Sequence, residues 1–165
     1  MTKMSGFFEL RSWLDLHDKL EWEFKQLSAT PDDTYIAYNF FVTAWHLLEW
    51  VHPDPIGTSN RSCLKDKEPL LQICEHLAVG AKHFEPTNKD LKSVASTGMQ
   101  PGALGGAWGG SWGSSWGRHL TVVLQGEAQQ KYGDSIAVEH LASLVMNYWR
   151  EFRKAHDERA EAEKK

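Results

Sequence analysis

Cysteine is scarce in this sequence, which has only two in 165 residues. Cys63 and Cys74 form neither a CxxC pair nor the paired Cys/His spacing of a zinc site. Two thiols are also too few for the disulfide framework of a small secreted domain. Reduced thiols fit this usage best, and we therefore expect a cytoplasmic protein.

Long apolar runs and an excess of one charge are missing as well. No stretch reaches the roughly 18 apolar residues of a membrane-spanning helix, and residues 1–10 lack the apolar centre and small-residue end of a signal peptide. The 22 acidic and 18 basic side chains give a formal net charge of -4, so no global field attracts nucleic acid or anionic lipid. We expect no membrane association, and contact with RNA only through a local patch.

Helical periodicity is what the sequence has in abundance. Apolar residues recur at spacings of three and four in four segments, at about 5–27, 30–51, 69–84 and from 135 onward. The second segment is apolar nearly all round, which is typical of a buried helix. We predict a mainly α single domain over 1–152, a bundle of about four main helices with the second at its centre. A charged tail is expected over 153–165.

Residues 85–126 interrupt this pattern with an insertion rich in glycine, serine and tryptophan. Each glycine disfavours a helix by about 1 kcal/mol relative to alanine. At the end of the insertion, Leu120 to Leu124 is rich in β-branched residues and bounded by Gly117 and Gly126, which predicts a strand. A lone strand is unstable, so we expect the tryptophan-containing segment to fold back on it as a β-hairpin.

Trp108, Trp112 and Trp116 recur every four residues within the insertion. In an extended chain this even spacing puts all three rings on one face. The rings can cover the helical core, since tryptophan buries a large area. They can also form a protein-interaction or dimerisation surface, since tryptophan is enriched at interface hot spots. A third interpretation is stacking on nucleic-acid bases, with Arg118 as a nearby cation.

His46, Glu49 and His76 are the candidate metal ligands, because they bring imidazole and carboxylate groups to two neighbouring predicted helices. His46 and Glu49 reverse the Glu-x-x-His order of di-iron bundles, and the next helix carries no matching copy. A hydrogen-bonded, partly buried His46 explains the pattern without a metal. We therefore predict neither a metal site nor another cofactor.

Lys82 and His83 stand at the end of the third predicted helix. The helix dipole favours cations there, and the last carbonyl groups need donors, so capping accounts for both residues. Alternatively, they form one wall of an anion or RNA-phosphate site. In that case His83 is a candidate catalytic group, since histidine can move a proton near neutral pH.

Arg150 and His156 are separated by five residues near the end of the last predicted helix. The pair resembles the arginine–histidine motif of the HEPN superfamily, compact helical domains that often cut RNA as dimers. The helical body, residues 5–84 and 135–155, also looks like small uncharacterised bacterial HEPN-like proteins that carry an Ala-Lys-His-Phe segment. The resemblance implies that His156 helps to activate the ribose 2′-hydroxyl and that Arg150 holds the phosphate. As residues of a charged segment, the two side chains also fit a solvated helix face.

Two classes of function follow from these patterns. The first is a HEPN-like, RNA-associated protein of a bacterial or phage conflict system, either a ribonuclease or an inactive relative. The second is a noncatalytic protein-interaction or dimerisation module that uses the tryptophan-rich insertion. The expected partners are accordingly RNA, another protein or a second copy of the chain, and whether the protein is an enzyme stays open.

Overall fold

The computed structural model describes residues 8–54, 56–82, 91–101 and 118–163. In these residues the chain forms six helices and a three-stranded antiparallel sheet. The elements in chain order are α1 (Trp13–Ala29), α2 (Thr34–Val51), α3 (Thr58–Lys67), α4 (Pro69–Lys82), β1 (Val94–Pro101), β2 (Arg118–Leu124), α5 (Gly126–Tyr132), β3 (Ser135–Ala137) and α6 (Val138–Ala162). The prediction of a mainly α fold is confirmed. None of the described helices is long and apolar enough to cross a membrane.

Local capping determines where the first two helices begin. The Ser12 hydroxyl accepts a hydrogen bond from the Asp15 backbone N–H, and the Asp15 carboxylate accepts one from the Ser12 backbone N–H at 2.8 Å. This reciprocal capping box satisfies two free donors, so α1 begins after Ser12 and not near residue 5. In the same way, the Asp33 carboxylate accepts from the N–H groups of Tyr35 and Ile36, so α2 begins later than the proline-based prediction.

The last helix is longer than the sequence pattern predicts. α6 continues without a break through the segment 153–162, where we expected a charged tail. That segment consists mainly of alanine, glutamate, lysine and arginine, which are strong helix formers even without an apolar stripe. The charged residues therefore extend the helix and present side chains to solvent along its final turns.

The sheet confirms the predicted strand but gives it different partners. β2 is the central strand, and its Leu120 and Val122 pair with Met99 and Thr97 of β1. On its other side Val122 pairs with Ile136 of β3. The expected partner contained the tryptophans, but β1 ends before them, and the segment 102–117 lies outside the described residues.

One core joins the helices to the sheet, with α2 contacting α1, α4 and α6. The apolar periodicity of the helices predicts that Trp45, Leu48, Leu77, Leu141 and Val145 share this core, and the structure confirms it. Leu48, Leu141 and Val145 are fully buried, while Trp45 and Leu77 are partly buried and pack against the same cluster. α2 is not buried all round, since one of its faces is open to solvent.

Candidate functional site

A cleft between α1 and α6 contains the predicted Arg150 together with other charged side chains. It has a volume of about 400 Å³. Its lining combines one histidine with three basic and four acidic residues: His17, Glu21, Arg150, Arg153, Lys154, Asp157, Glu158 and Glu161. We call this group the α1–α6 cleft.

Helical geometry explains which α6 residues face the cleft. Each residue turns the helix by about 100°, so side chains three, four, seven or eleven positions after Arg150 lie within about 60° of it. Arg153, Lys154 and Asp157 therefore point to the same side. His156 follows Arg150 by six positions, which places its side chain about 120° away around the axis. The two residues of the HEPN-like pair thus face different directions.

Arg150 makes a forked ion pair with Glu21 of α1. Its Nε donates to Glu21 Oε1 at 2.7 Å and its second terminal nitrogen donates to Oε2, also at 2.7 Å. The guanidinium lies 5.4 Å from the centre of the Phe24 ring. The hydrogen bonds from Arg150 lower the pKa of Glu21, and the same pair raises the pKa of Arg150. Both groups are therefore charged at neutral pH.

Arg153 connects the buried His17 to the adjacent Asp18. One Arg153 nitrogen donates to Asp18 Oδ1 at 2.6 Å and lies 3.1 Å from His17 Nδ1. A guanidinium can only donate, so Nδ1 of His17 is the acceptor and the ring proton is on Nε2. His17 is 2% exposed. Burial and, after it, the charge of Arg153 lower the pKa of His17, so the ring is neutral at pH 7.

His156 lies outside this cleft, against the first turn of α1. Its ring centre is 5.0 Å from that of Trp13, in an edge-on arrangement. Its Nδ1 is 3.3 Å from the carboxylate of the adjacent Asp157. His156 therefore shares its helix with Arg150 but does not share a binding pocket with it.

Lys82 is the last residue of α4, and no residue of α4 lines the α1–α6 cleft. Its neighbour Ala81 and Val138, the first residue of α6, line one cavity of about 660 Å³ between the sheet, α2 and α4. Arg150 is twelve residues further along α6, which is about 18 Å at 1.5 Å per residue. The structure therefore does not bring Lys82 to the α1–α6 cleft.

The other predicted binding residues belong to the insertion or to its borders. Arg118 is exposed at the start of β2, opposite Pro101 of β1. His83 and the three tryptophans, Trp108, Trp112 and Trp116, lie outside the described residues. Their predicted roles stay predictions.

The three candidate metal ligands have other surroundings. His46 and Glu49 face each other at 4.0 Å on the half-exposed side of α2. His76 Nδ1 accepts a hydrogen bond from the Val94 backbone N–H at 3.0 Å, which ties α4 to β1. In the described part of the chain, no three histidine, cysteine, aspartate or glutamate side chains come together in a way that could hold a metal ion.

Sequence reasoning missed His17, Glu21 and Arg153 as members of the site. His17 follows Trp13 by four positions, so it lies on the apolar stripe of α1, where a buried polar ring needs a partner. The position of His17 on the apolar stripe is the feature of the sequence that could have identified this site. The guanidinium groups of Arg150 and Arg153 can bind a small anion in place of the carboxylates of Glu21 and Asp18 that they contact.

Comparison with known proteins finds no significant similarity: no family model matches the chain, and no curated protein or solved structure matches it.

Proposed function

We propose that this protein is a HEPN-like, RNA-associated protein that holds RNA phosphate in the α1–α6 cleft without cutting the chain. The observation that carries the proposal is the fork between Arg150 and Glu21. A carboxylate and a phosphate present two oxygens to a guanidinium in nearly the same way. Glu21 thus occupies the position that a phosphate would take beside Arg150.

The basic residues of α6 supply the rest of the proposed phosphate site. Arg153 and Lys154 are on the same side of α6 as Arg150, one turn further along the helix. Adjacent turns are about 5.4 Å apart, so one phosphate can contact both arginines. The Arg150 guanidinium also lies over the Phe24 ring, 5.4 Å from its centre, and this cation–π contact favours the observed position of the guanidinium.

The same geometry supports binding without catalysis by a single chain. A general base must reach the proton that it removes, directly or through one water. His156 packs against Trp13 away from the cleft, and Nδ1 of His17 already accepts a hydrogen bond from Arg153. This arrangement supports the proposal that the chain is an inactive relative of the HEPN ribonucleases.

Glu21→Gln tests the proposal directly. Glutamine keeps the shape of glutamate but loses its charge, so it competes less with phosphate for Arg150. Charge-assisted hydrogen bonds exceed neutral ones by about 1 kcal/mol, which corresponds to roughly fivefold in affinity. We expect Glu21→Gln to bind a labelled single-stranded RNA about fivefold more tightly, measured by fluorescence anisotropy at one salt concentration.

The matched control is Glu127→Gln, which removes the same charge from an exposed position on α5. It should change the affinity much less than Glu21→Gln does. Equal gains in RNA affinity in the two variants would show that only the net charge of the protein matters. That result would contradict a phosphate site in the cleft. RNA cleavage that disappears in His156→Ala would contradict the noncatalytic assignment.

A noncatalytic protein-interaction module is the second candidate, and the charge of the cleft favours it. Four carboxylates line the cleft beside three basic groups, so the surface as a whole does not attract RNA. In this case the tryptophan-rich insertion carries the function. Trp112→Ala should then abolish partner or self association in a sedimentation or pull-down assay, because a hot-spot aromatic typically contributes 2 kcal/mol or more, roughly 30-fold. Unchanged association in this variant would remove the candidate.

A further inference from the structure

The outer edge of β1 is the starting point for a second proposal, independent of RNA. The strand order is β1-β2-β3, so β1 is paired on one side only within the part of the chain that the structure describes. β3 is the other edge, but it has three residues, whereas β1 has eight. A short edge strand offers few unpaired backbone groups to another chain, whereas a long edge strand offers a row of unpaired backbone N–H and C=O groups.

β1 lacks the charges that usually protect such an edge. All residues from Ala95 to Gln100 are exposed, and none of them is charged. Edge strands commonly carry lysine, proline or a bulge, which prevents pairing with another chain. Here a bulge between Val94 and Ser96 and a proline at position 101 stand only at the two ends. Among the described residues, the regular stretch between them, Ser96–Gln100, has no partner strand on its outer edge.

We propose that this stretch pairs antiparallel with the same stretch of a second copy, which joins the two sheets into one. In an antiparallel ladder, the two side chains of a facing pair lie on the same face of the sheet. A two-fold axis must therefore pass midway between the two copies of one residue. Gly98 is the central residue of Ser96–Gln100. The two Gly98 residues then face each other, Thr97 faces Met99 of the second copy, and Ser96 faces Gln100.

The composition of the stretch favours a second copy over an unrelated chain. A two-fold interface places each residue at the axis opposite its own copy, so a charge there would face an identical charge. The stretch has none. At the axis, no atom of the described residues lies within 4 Å of the position of a Gly98 Cβ, and glycine has no side chain that would crowd its own copy. Threonine and methionine form an ordinary cross-strand pair.

Charged substitutions at Gly98 test the proposal, because they act only when two copies meet. No described residue occupies the space of a Gly98 Cβ and Gly98 has no positive φ, so a side chain fits there among the described residues without strain. In sedimentation velocity, the wild-type chain should show a concentration-dependent dimer. Gly98→Lys and Gly98→Glu should each raise the dimer dissociation constant by about tenfold or more, since identical charges face each other at the axis. Asn147→Lys, on the exposed side of α6, should leave it unchanged.

Mixing the two variants separates pairing from misfolding. An equimolar mixture of Gly98→Lys and Gly98→Glu should form a heterodimer, because opposite charges then meet at the axis. Restored dimerisation confirms the pairing and shows that both variants fold. A wild-type chain that is monomeric at every soluble concentration overturns the proposal. So do Gly98 variants that dimerise like the wild type, or a mixture of folded variants that stays monomeric.

Discussion

Replacing Trp149 by alanine is expected to lower the free energy of unfolding by about 3–5 kcal/mol. Trp149 is completely buried and packs edge-on against Tyr148 and Phe152, with ring centres 5.4 and 5.5 Å away. It stands on α6, which contacts α1, α2, α4 and β2. Loss of the indole would therefore leave a cavity where several elements meet.

Two further tryptophan substitutions make this prediction specific. Trp22→Ala removes the same side chain from a position that is 60% exposed, and it should change stability by about 0.5 kcal/mol or less. Trp149→Phe should be milder than alanine, because the cavity is smaller and because Nε1 of Trp149 has no hydrogen-bond partner among the described residues. Urea unfolding followed by circular dichroism measures all three variants. Equal losses in Trp149→Ala and Trp22→Ala would contradict the position of Trp149 in the core.

The double substitution Arg150→Ala/Arg153→Ala is expected to lower RNA affinity by about 100-fold or more. Each arginine loses charge-assisted hydrogen bonds to phosphate, which contribute about 1.5–3 kcal/mol. The salt dependence should change too, because each phosphate contact on a single strand contributes about 0.7 to the slope of log affinity against log salt. Because Arg150 and Arg153 are proposed to hold the same phosphate, the loss of that one phosphate contact predicts a fall in the slope of about 0.7.

The control for lost charge is Lys67→Ala/Arg159→Ala. Arg159 follows Arg150 by nine positions, which places it on the opposite face of α6, about 180° around the axis, and Lys67 is exposed at the end of α3. Equal losses of affinity in the two double variants would contradict a specific phosphate site. Arg150→Lys/Arg153→Lys should keep the salt slope but bind more weakly, since lysine keeps the charge and loses the fork.

These substitutions also separate binding from helix packing. Arg150 and Arg153 join α6 to Glu21 and Asp18 of α1, and both pairs are partly exposed. Exposed ion pairs typically contribute about 0.2–1 kcal/mol each, so the double alanine variant should stay folded. The affinity loss can then be measured on a folded protein.

Local sequence patterns were sufficient for α1, α2, α4, α6 and β2, but not for the short helices α3 and α5. A spacing of three and four residues reports which side of a helix is apolar, and this depends only on neighbours along the chain. The same logic placed Leu48, Leu141 and Val145 in one core. The start of α1 was also encoded locally, in the reciprocal pair Ser12 and Asp15, although apolar periodicity pointed further upstream.

The partners of β2 and the composition of the cleft depended on the tertiary structure. Strand pairing depends on which two segments meet, and the β-branched pattern of β2 was compatible with more than one neighbour. Arg150 and Glu21 are 129 positions apart, so no local pattern connects them. They meet because the apolar stripes of α1 and α6 pack together, and this contact determines which polar side chains face each other at its border. The sequence by itself thus determined the four main helices, their buried faces and β2, whereas the packing of α1 against α6 decided that Arg150 joins His17 and Arg153 and not His156.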